Sequence, residues 1–348
     1  AFFNQPKRIW ILLLSIKHRI QDTSIYVVCG AIFSTALSLF LVVKLNYGPL
    51  GKVLALIPSA IFIFFIANLA VYRYTNLRWS WQKLKEILKF GFPLVLAIWS
   101  YEILFIADRF ILEGMIGSEQ LGIYSLGYQV AQIPIFIAIG IRKIWNPIFY
   151  ENMKNKSYDT VQKLVKIYLL FVTAIHVSII FFAKELMLLL VDSRFYGAIP
   201  IIGIITAGVF FSSLLTISNS FLGYEKKFKT TSKIASFAAV LNIVLNVVMI
   251  PFLGIIGAAL ATLISYMVYF GIGIYVVRDF DKILKIKKVL VSCLLFLLIS
   301  VSYIFVFSGE EFYLSEILIK LLMLAVFIGF SIKLKIINIS ELVKFVKK

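Results

Sequence analysis

Apolar runs of about 20 residues recur along the whole chain, the length a helix needs to cross a bilayer. Ten spans are read from this pattern. The first six are Ile25–Val43, Val53–Tyr72, Phe90–Leu112, Leu121–Ile141, Ile167–Ala183 and Ala198–Gly223. The last four are Ile234–Phe252, Gly254–Val277, Val289–Ser308 and Leu314–Ile332. Phe2 to Ser15 reads as the tail of an earlier span. The fold class expected is an all-α integral membrane protein.

The charges between spans alternate in sign. Arg73, Arg78, Lys83, Lys85 and Lys89 outweigh Glu86 in the second connection. Arg142, Lys143, Lys154, Lys156, Lys163 and Lys166 outweigh Glu151 and Asp159 in the fourth. Lys226, Lys227, Lys229 and Lys233 dominate the sixth, Arg278, Lys282, Lys285, Lys287 and Lys288 the eighth, and the tail after Ile332 is basic. The intervening connections are acidic, balanced or bare: Glu113 and Glu119; Lys184 and Arg194 against Glu185 and Asp192; Leu253; and Glu310, Glu311 and Glu316. Only the first, with Lys44 and Lys52, departs from this alternation. By the positive-inside rule the even connections and the C-terminus are cytoplasmic.

A repeat also shows. Val42, Gly48, Gly51, Leu54, Ala55 and Ser59 match Val248, Gly254, Gly257, Leu260, Ala261 and Ser265 at a constant offset of 206. Both copies fall at a tight external turn, where Gly permits positive φ and close helix approach. Spans three to eight then form one six-helix lobe, and an equivalent first lobe begins before Ala1, with roughly 120 residues expected upstream. The expected organisation is 1–82 as a remnant of the first lobe, 83–278 as the second, and 279–348 as two further helices with a basic tail.

Composition agrees with the membrane class. The chain of 348 residues is 61% hydrophobic, with a mean hydropathy of +0.97, against about 45–50% apolar in soluble domains. The net charge of +18 sits in short loops, so it reads as topology signal and headgroup contact rather than nucleic-acid binding. Cys29 and Cys293 lie far apart in apolar runs, which indicates neither a disulfide framework nor a zinc site. No P-loop, Ser-His-Asp grouping, HExxH or Cys-His pair occurs, so no cofactor, no metal and no enzymatic activity is expected.

The candidate chemistry lies in charges and amides within the spans. A charge at the centre of a membrane helix costs about 2.5–3.5 kcal/mol on insertion scales, so such groups tend to face a bundle interior or a wet cavity. Counting from Phe90, Glu102 lies about 18 Å along the third span, near the midplane. Asp108 and Arg109 lie about 27–28 Å along, near the outer face. Glu102 fits a cavity-lining or proton-coupling role, or a structural partner for a buried cation. It is the leading single candidate for mechanism. Asp108-Arg109 fits a pair holding the outer helix end, or a gate or substrate contact. Arg142 and Lys143 fit ordinary topology anchors first and a diphosphate contact second, with Trp145 beside them as an interface anchor. His176 fits a satisfied interior histidine or a proton relay. Asn242 and Asn246, four apart on one helix face, fit helix–helix glue or contact with polar cargo. Pro93 and Pro134 are hinge candidates, and Pro58 also sits within a span. Tyr101, Tyr124 and Tyr128 fit sugar stacking or an interface belt.

Phe90-Gly91-Phe92-Pro93-Leu94, Ala107-Asp108-Arg109-Phe110 and Leu121-Gly122-Ile123-Tyr124-Ser125 resemble the start of the second lobe of bacterial polysaccharide flippases. Pro251-x-x-Gly254-x-x-Gly257-Ala258-Ala259-x-Ala261-Thr262-x-x-Ser265 resembles that lobe's closing hairpin. These are O-antigen and capsule repeat-unit exporters of the multidrug/oligosaccharidyl-lipid/polysaccharide superfamily. The likeness is strongest from Lys83 to Arg278. It implies a two-lobed transporter bundle, its first lobe incomplete here, that moves undecaprenyl-diphosphate-linked oligosaccharide to the outer leaflet by alternating access. It implies the bacterial cytoplasmic (inner) membrane, a polyprenyl-diphosphate-linked oligosaccharide as substrate, and other polysaccharide assembly proteins as partners. Glu102 has no place in the family pattern. The alternatives are a multidrug antiporter of the same superfamily and, with less support, a membrane-embedded polymerase or acyltransferase. A polymerase needs a large external loop, which the pattern lacks. An acyltransferase needs a buried histidine, for which His176 alone stands.

Overall fold

The computed structural model describes residues 30, 32–72, 80–278, 290, 291, 294, 295, 297, 298 and 314–333. The expectations on residues 2–15, Cys29, Cys293, most of the ninth span, the connections at 73–79 and 279–289, the tail beyond 333 and the Lys143 side chain lie outside the described residues. Every regular element among the described residues is helical. The chain divides into two units, Ala1–Leu84 and Lys85–Lys348.

In the first unit, α1 (Ile32–Lys44) and α2 (Gly48–Tyr72) are joined by a tight turn, and α1 closes in a π turn over Phe40–Lys44. The second unit begins within α3 (Trp81–Ile116). It continues through α4 (Ser118–Ala131), α5 (Ile133–Lys154), α6 (Tyr158–Leu190) and α7 (Ile199–Tyr224). α8 (Phe228–Val276) and α9 (Leu314–Lys333) complete it. A 3-10 segment, Ser193–Ala198, leads into α7.

The pattern of spans holds with informative exceptions. The fourth span is two helices broken at Gln132, because Pro134 at the start of α5 lacks the N–H that would continue α4. Pro134 therefore begins a helix, while α3 runs through Pro93 and α2 through Pro58 without interruption. Spans seven and eight are the two arms of α8, bent at Gly254 (φ 55°, ψ −133°).

The two glycine turns of the repeat share one geometry. Gly48 and Gly254 take φ of +53° and +55°, a left-handed conformation costly for residues with a Cβ. Three residues on, Gly51 lies so close to Leu41–Val42 that a Cβ would sit 3.0 Å from their backbone. Gly257 meets Met249–Ile250 in the same way, at 2.6 Å. The hydroxyls match as well: Ser59 donates to the Ala55 carbonyl at 2.7 Å and Ser265 to that of Ala261 at 2.6 Å.

The turns after α5 and α7 also share a form. Ser157 N–H reaches Asn152 O and Lys156 N–H reaches Met153 O; Lys227 and Lys226 repeat this onto Leu222 and Gly223. Both are Schellman closures with a lysine, Lys156 or Lys226, at positive φ. A lysine there also places its charge at the negative end of the helix dipole.

The core of the second unit runs along α7. One end gathers Trp145, Phe149, Tyr168, Phe210, Phe221 and Tyr266; the other gathers Tyr124, Tyr128, Ile201, Ile205 and Ala258. Three neighbouring helices offer a polar side chain to the hydroxyl row of α7. Tyr101 of α3 pairs with Ser212 at 3.1 Å, Trp145 of α5 donates to Ser220 at 2.9 Å, and His176 of α6 lies 3.3 Å from Ser213. Trp145 is thus an interior residue rather than an interface anchor. Lys184 and Glu185 belong to α6 and Glu316 to α9, all three buried rather than loop charges.

Candidate substrate and coupling site

α3 buries one narrow stripe. Ser100, Leu104, Asp108 and Leu112, four residues apart, are its only buried positions among the described side chains. That spacing is the i, i+4 row of a helix face. Asp108 is fully buried on this stripe and accepts a 2.5 Å hydrogen bond from the Tyr124 hydroxyl of α4. It also accepts the Arg109 backbone N–H at 2.8 Å. Thr262 of α8 lies near the Tyr124 hydroxyl, and its own Oγ1 has no hydrogen-bond partner.

Arg109 turns aside from Asp108. Its Nη1 is 4.0 Å from the carboxylate and donates instead to the Phe105 carbonyl at 2.7 Å. The guanidinium lies over the Tyr128 ring at 4.4 Å and near Phe105 at 5.2 Å. Its side chain keeps 24% of its surface exposed. The Asp108-Arg109 pair is thus a loose one, each residue taking its shortest side-chain hydrogen bond elsewhere. A carboxylate enclosed between helices is tolerable only with strong donors, and among the described residues Tyr124 is the one that supplies a side-chain donor from a neighbouring helix.

Glu102 sits on the exposed side of α3, with no hydrogen bond or ion pair among the described residues. Of the two acids, the buried one is Asp108. Tyr124 and Tyr128 are fully enclosed, so sugar stacking on either as placed is ruled out; Tyr101 is partly open. Sequence patterning misses Tyr124 as the partner of Asp108. Its one signal is the Tyr124–Tyr128 spacing of four, which puts both rings on the face that meets α3.

The remaining candidates are dispersed. His176 is buried, with Nδ1 2.7 Å from the Val172 carbonyl and the ring edge-on to Phe210, as a satisfied interior histidine would be. Asn242 and Asn246 are fully buried on the first arm of α8. Asn246 Nδ2 donates to the Asn242 backbone carbonyl at 2.8 Å and to its Oδ1 at 3.1 Å. Asn242 Nδ2 and Asn246 Oδ1 remain unpartnered. Together with Thr262, they place three of the orphaned buried polar atoms on one hairpin. Arg142 is exposed on α5.

Residues 1–200, more than half of the chain, match the family described as polysaccharide biosynthesis protein. The chain belongs to the polysaccharide biosynthesis protein family. Two proteins of Methanocaldococcus jannaschii, both described as uncharacterized membrane proteins, are similar to this family member. One is 26% identical over 58% of this chain and 47% of its own length; the other is 25% identical over 56% and 39%. The chain thus spans about half or less of the curated relatives it matches.

Solved structures share its fold. A crystal structure of MATE in the bent conformation superposes with a TM-score of 0.63 at 16% identity, covering 83% of this chain and 68% of the other. The lipid II flippase MurJ, in an inward closed conformation, gives 0.63 at 20% identity, covering 95% and 74%. A MOP superfamily transporter from Pyrococcus furiosus gives 0.59 at 14% identity, covering 79% and 66%. This polysaccharide biosynthesis protein is therefore an all-α, multi-pass membrane protein with the fold of MOP superfamily transporters, as its sequence motifs led one to expect.

Proposed function

We propose that this protein moves polyprenyl-diphosphate-linked oligosaccharide repeat units from the cytoplasmic to the outer leaflet of the bacterial cytoplasmic membrane. The units would supply a surface polysaccharide such as O-antigen or capsule, and the C-terminus would be cytoplasmic. Family membership supports the pathway, and the fold likeness to a protein described as a lipid II flippase supports a lipid-linked cargo. The observation that carries the reading is the setting of Arg109. Its guanidinium is steadied by the Phe105 carbonyl and the Tyr128 face yet stays partly open. A planar fork of donors in a membrane span is suited to a diphosphate. Arg142 and Lys143, at the other end of the expected path, would meet the same group at the cytoplasmic entry.

In this reading the protein is not an enzyme. Ion coupling acts on Asp108, the fully buried carboxylate, whose Tyr124 partner adjoins the orphaned Thr262 hydroxyl. The test is Arg109→Ala in cells that depend on this chain. Lipid-linked single units should accumulate on the inner leaflet while surface polysaccharide disappears; normal surface polysaccharide would end the assignment. A multidrug antiporter is the second reading, favoured by the fold likeness to MATE proteins. Drug sensitivity of a deletion strain with intact surface polysaccharide would select it.

A further inference from the structure

Four charges are buried between α6 and α9. Lys184 donates to Glu316 at 3.1 Å, and Lys320 is bonded to Glu185. The residues retain only 5%, 8%, 1% and 7% of their surface, in that order. Deeper along the same contact, Val177 and Phe181 of α6 pack with Met323 and Leu324 of α9. Moving back along α6 from Lys184 therefore corresponds to moving forward along α9 from Glu316, so the two helices run antiparallel.

Two apolar helices in lipid have no hydrophobic drive to choose one docking position. They can slide by a turn or rotate by a ridge with little loss. Buried ion pairs are poor adhesives, because desolvation offsets much of their attraction; their best-attested use is to fix register. The charge order here does this. Opposite charges are adjacent on α6 (Lys184, Glu185) and four apart on α9 (Glu316, Lys320). Sliding α9 by one turn would bring Lys320 to the place of Glu316, opposite Lys184, and set like charges together in a buried contact.

We propose that this four-charge cluster sets the depth and rotation of α9 on α6, making α9 a fixed wall of the Lys85–Lys348 unit. The experiment is cysteine cross-linking of the full chain in membranes, with Cys29 and Cys293 replaced by alanine. Met323→Cys is paired in turn with Ala174→Cys, Val177→Cys and Phe181→Cys. The native charges should give one preferred cross-link. With Lys184→Met, Glu185→Leu, Glu316→Leu and Lys320→Met together, the helices should still associate, but the single preference should be lost as product spreads over successive turns. Exchanging all four charges together, Lys184→Glu, Glu185→Lys, Glu316→Lys and Lys320→Glu, keeps the alternation and should keep one preferred pair. An unchanged preference in the all-apolar variant overturns the proposal, since packing then sets the register. Loss of all cross-links in that variant also overturns it, since the charges then act as adhesive.

Discussion

α7 and α3 are both long and apolar enough to cross a membrane, yet their surroundings are opposite. α7 is buried on nearly every side, while α3 buries only Ser100, Leu104, Asp108 and Leu112 among its described side chains. The difference lies in the polar residues each carries. α7 has no charged residue and a row of Ser and Thr, and most of these hydroxyls return to a carbonyl one turn back: Thr206 to Ile202, Ser213 to Val209 and Ser220 to Thr216. Such a helix is satisfied from within and can be enclosed by others. α3 carries full charges, and the one it buries among its described side chains, Asp108, is the one that meets the Tyr124 hydroxyl.

The widest separation of the two helices is expected from matched aromatic truncations. Phe210→Ala on α7 removes a fully buried ring and should cost about 3–5 kcal/mol of stability. Phe110→Ala on α3, where the ring is 72% exposed, should leave thermal unfolding in detergent nearly unchanged. Equal losses at the two positions would mean that α3 is enclosed as fully as α7.

A second contrast lies within α3. Asp108→Ala strands the Tyr124 hydroxyl and should cost about 1–3 kcal/mol. Glu102→Ala should change stability by less than about 0.5 kcal/mol. Transport separates them further. Asp108→Asn should lose it, whereas Glu102→Gln should keep both its rate and its response to a proton gradient. Loss of that response in Glu102→Gln would return the coupling role to the midplane acid.

Glycine substitutions test the same comparison through backbone contact. Gly208 of α7 lies against Leu263, where a Cβ would sit 3.1 Å from the Cα, so Gly208→Ala should cost about 1–2 kcal/mol. A Cβ at Gly91 of α3 meets open space, and Gly91→Ala should instead stabilise by about 0.5–1 kcal/mol. A further modest effect concerns the link between the two helices. Tyr101→Phe removes the hydrogen bond to Ser212 and should cost about 0.5–1.5 kcal/mol, read as a modest shift in the melting temperature.

Span positions, the glycine turns and the family motifs are legible in the sequence because each rests on local pattern: run length, charge sign at the ends, and glycine where φ is positive. Which helix stands at the centre is not legible. Apolar side chains facing lipid and apolar side chains facing protein have the same composition, so Phe110 and Phe210 look alike in sequence. The pattern does not distinguish the buried acid, Asp108, from the exposed one, Glu102, for a related reason. Depth along a helix follows from counting residues, but rotation requires knowing the neighbour, and Tyr124 lies sixteen residues away on another helix. Lys184 and Glu185 look like loop charges because they follow an apolar run. Their partners, more than 130 residues on, fall outside any local window. The spacing of Glu316 and Lys320, opposite charges four apart within an otherwise apolar run, is the available sign.

The bend of α8 at Gly254 bears on how the protein is made. With Gly257 seated against Met249 and Ile250, no slack remains between the two arms. That contact forms only once both arms have been made, so the packing of this hairpin is completed after synthesis has passed Gly257.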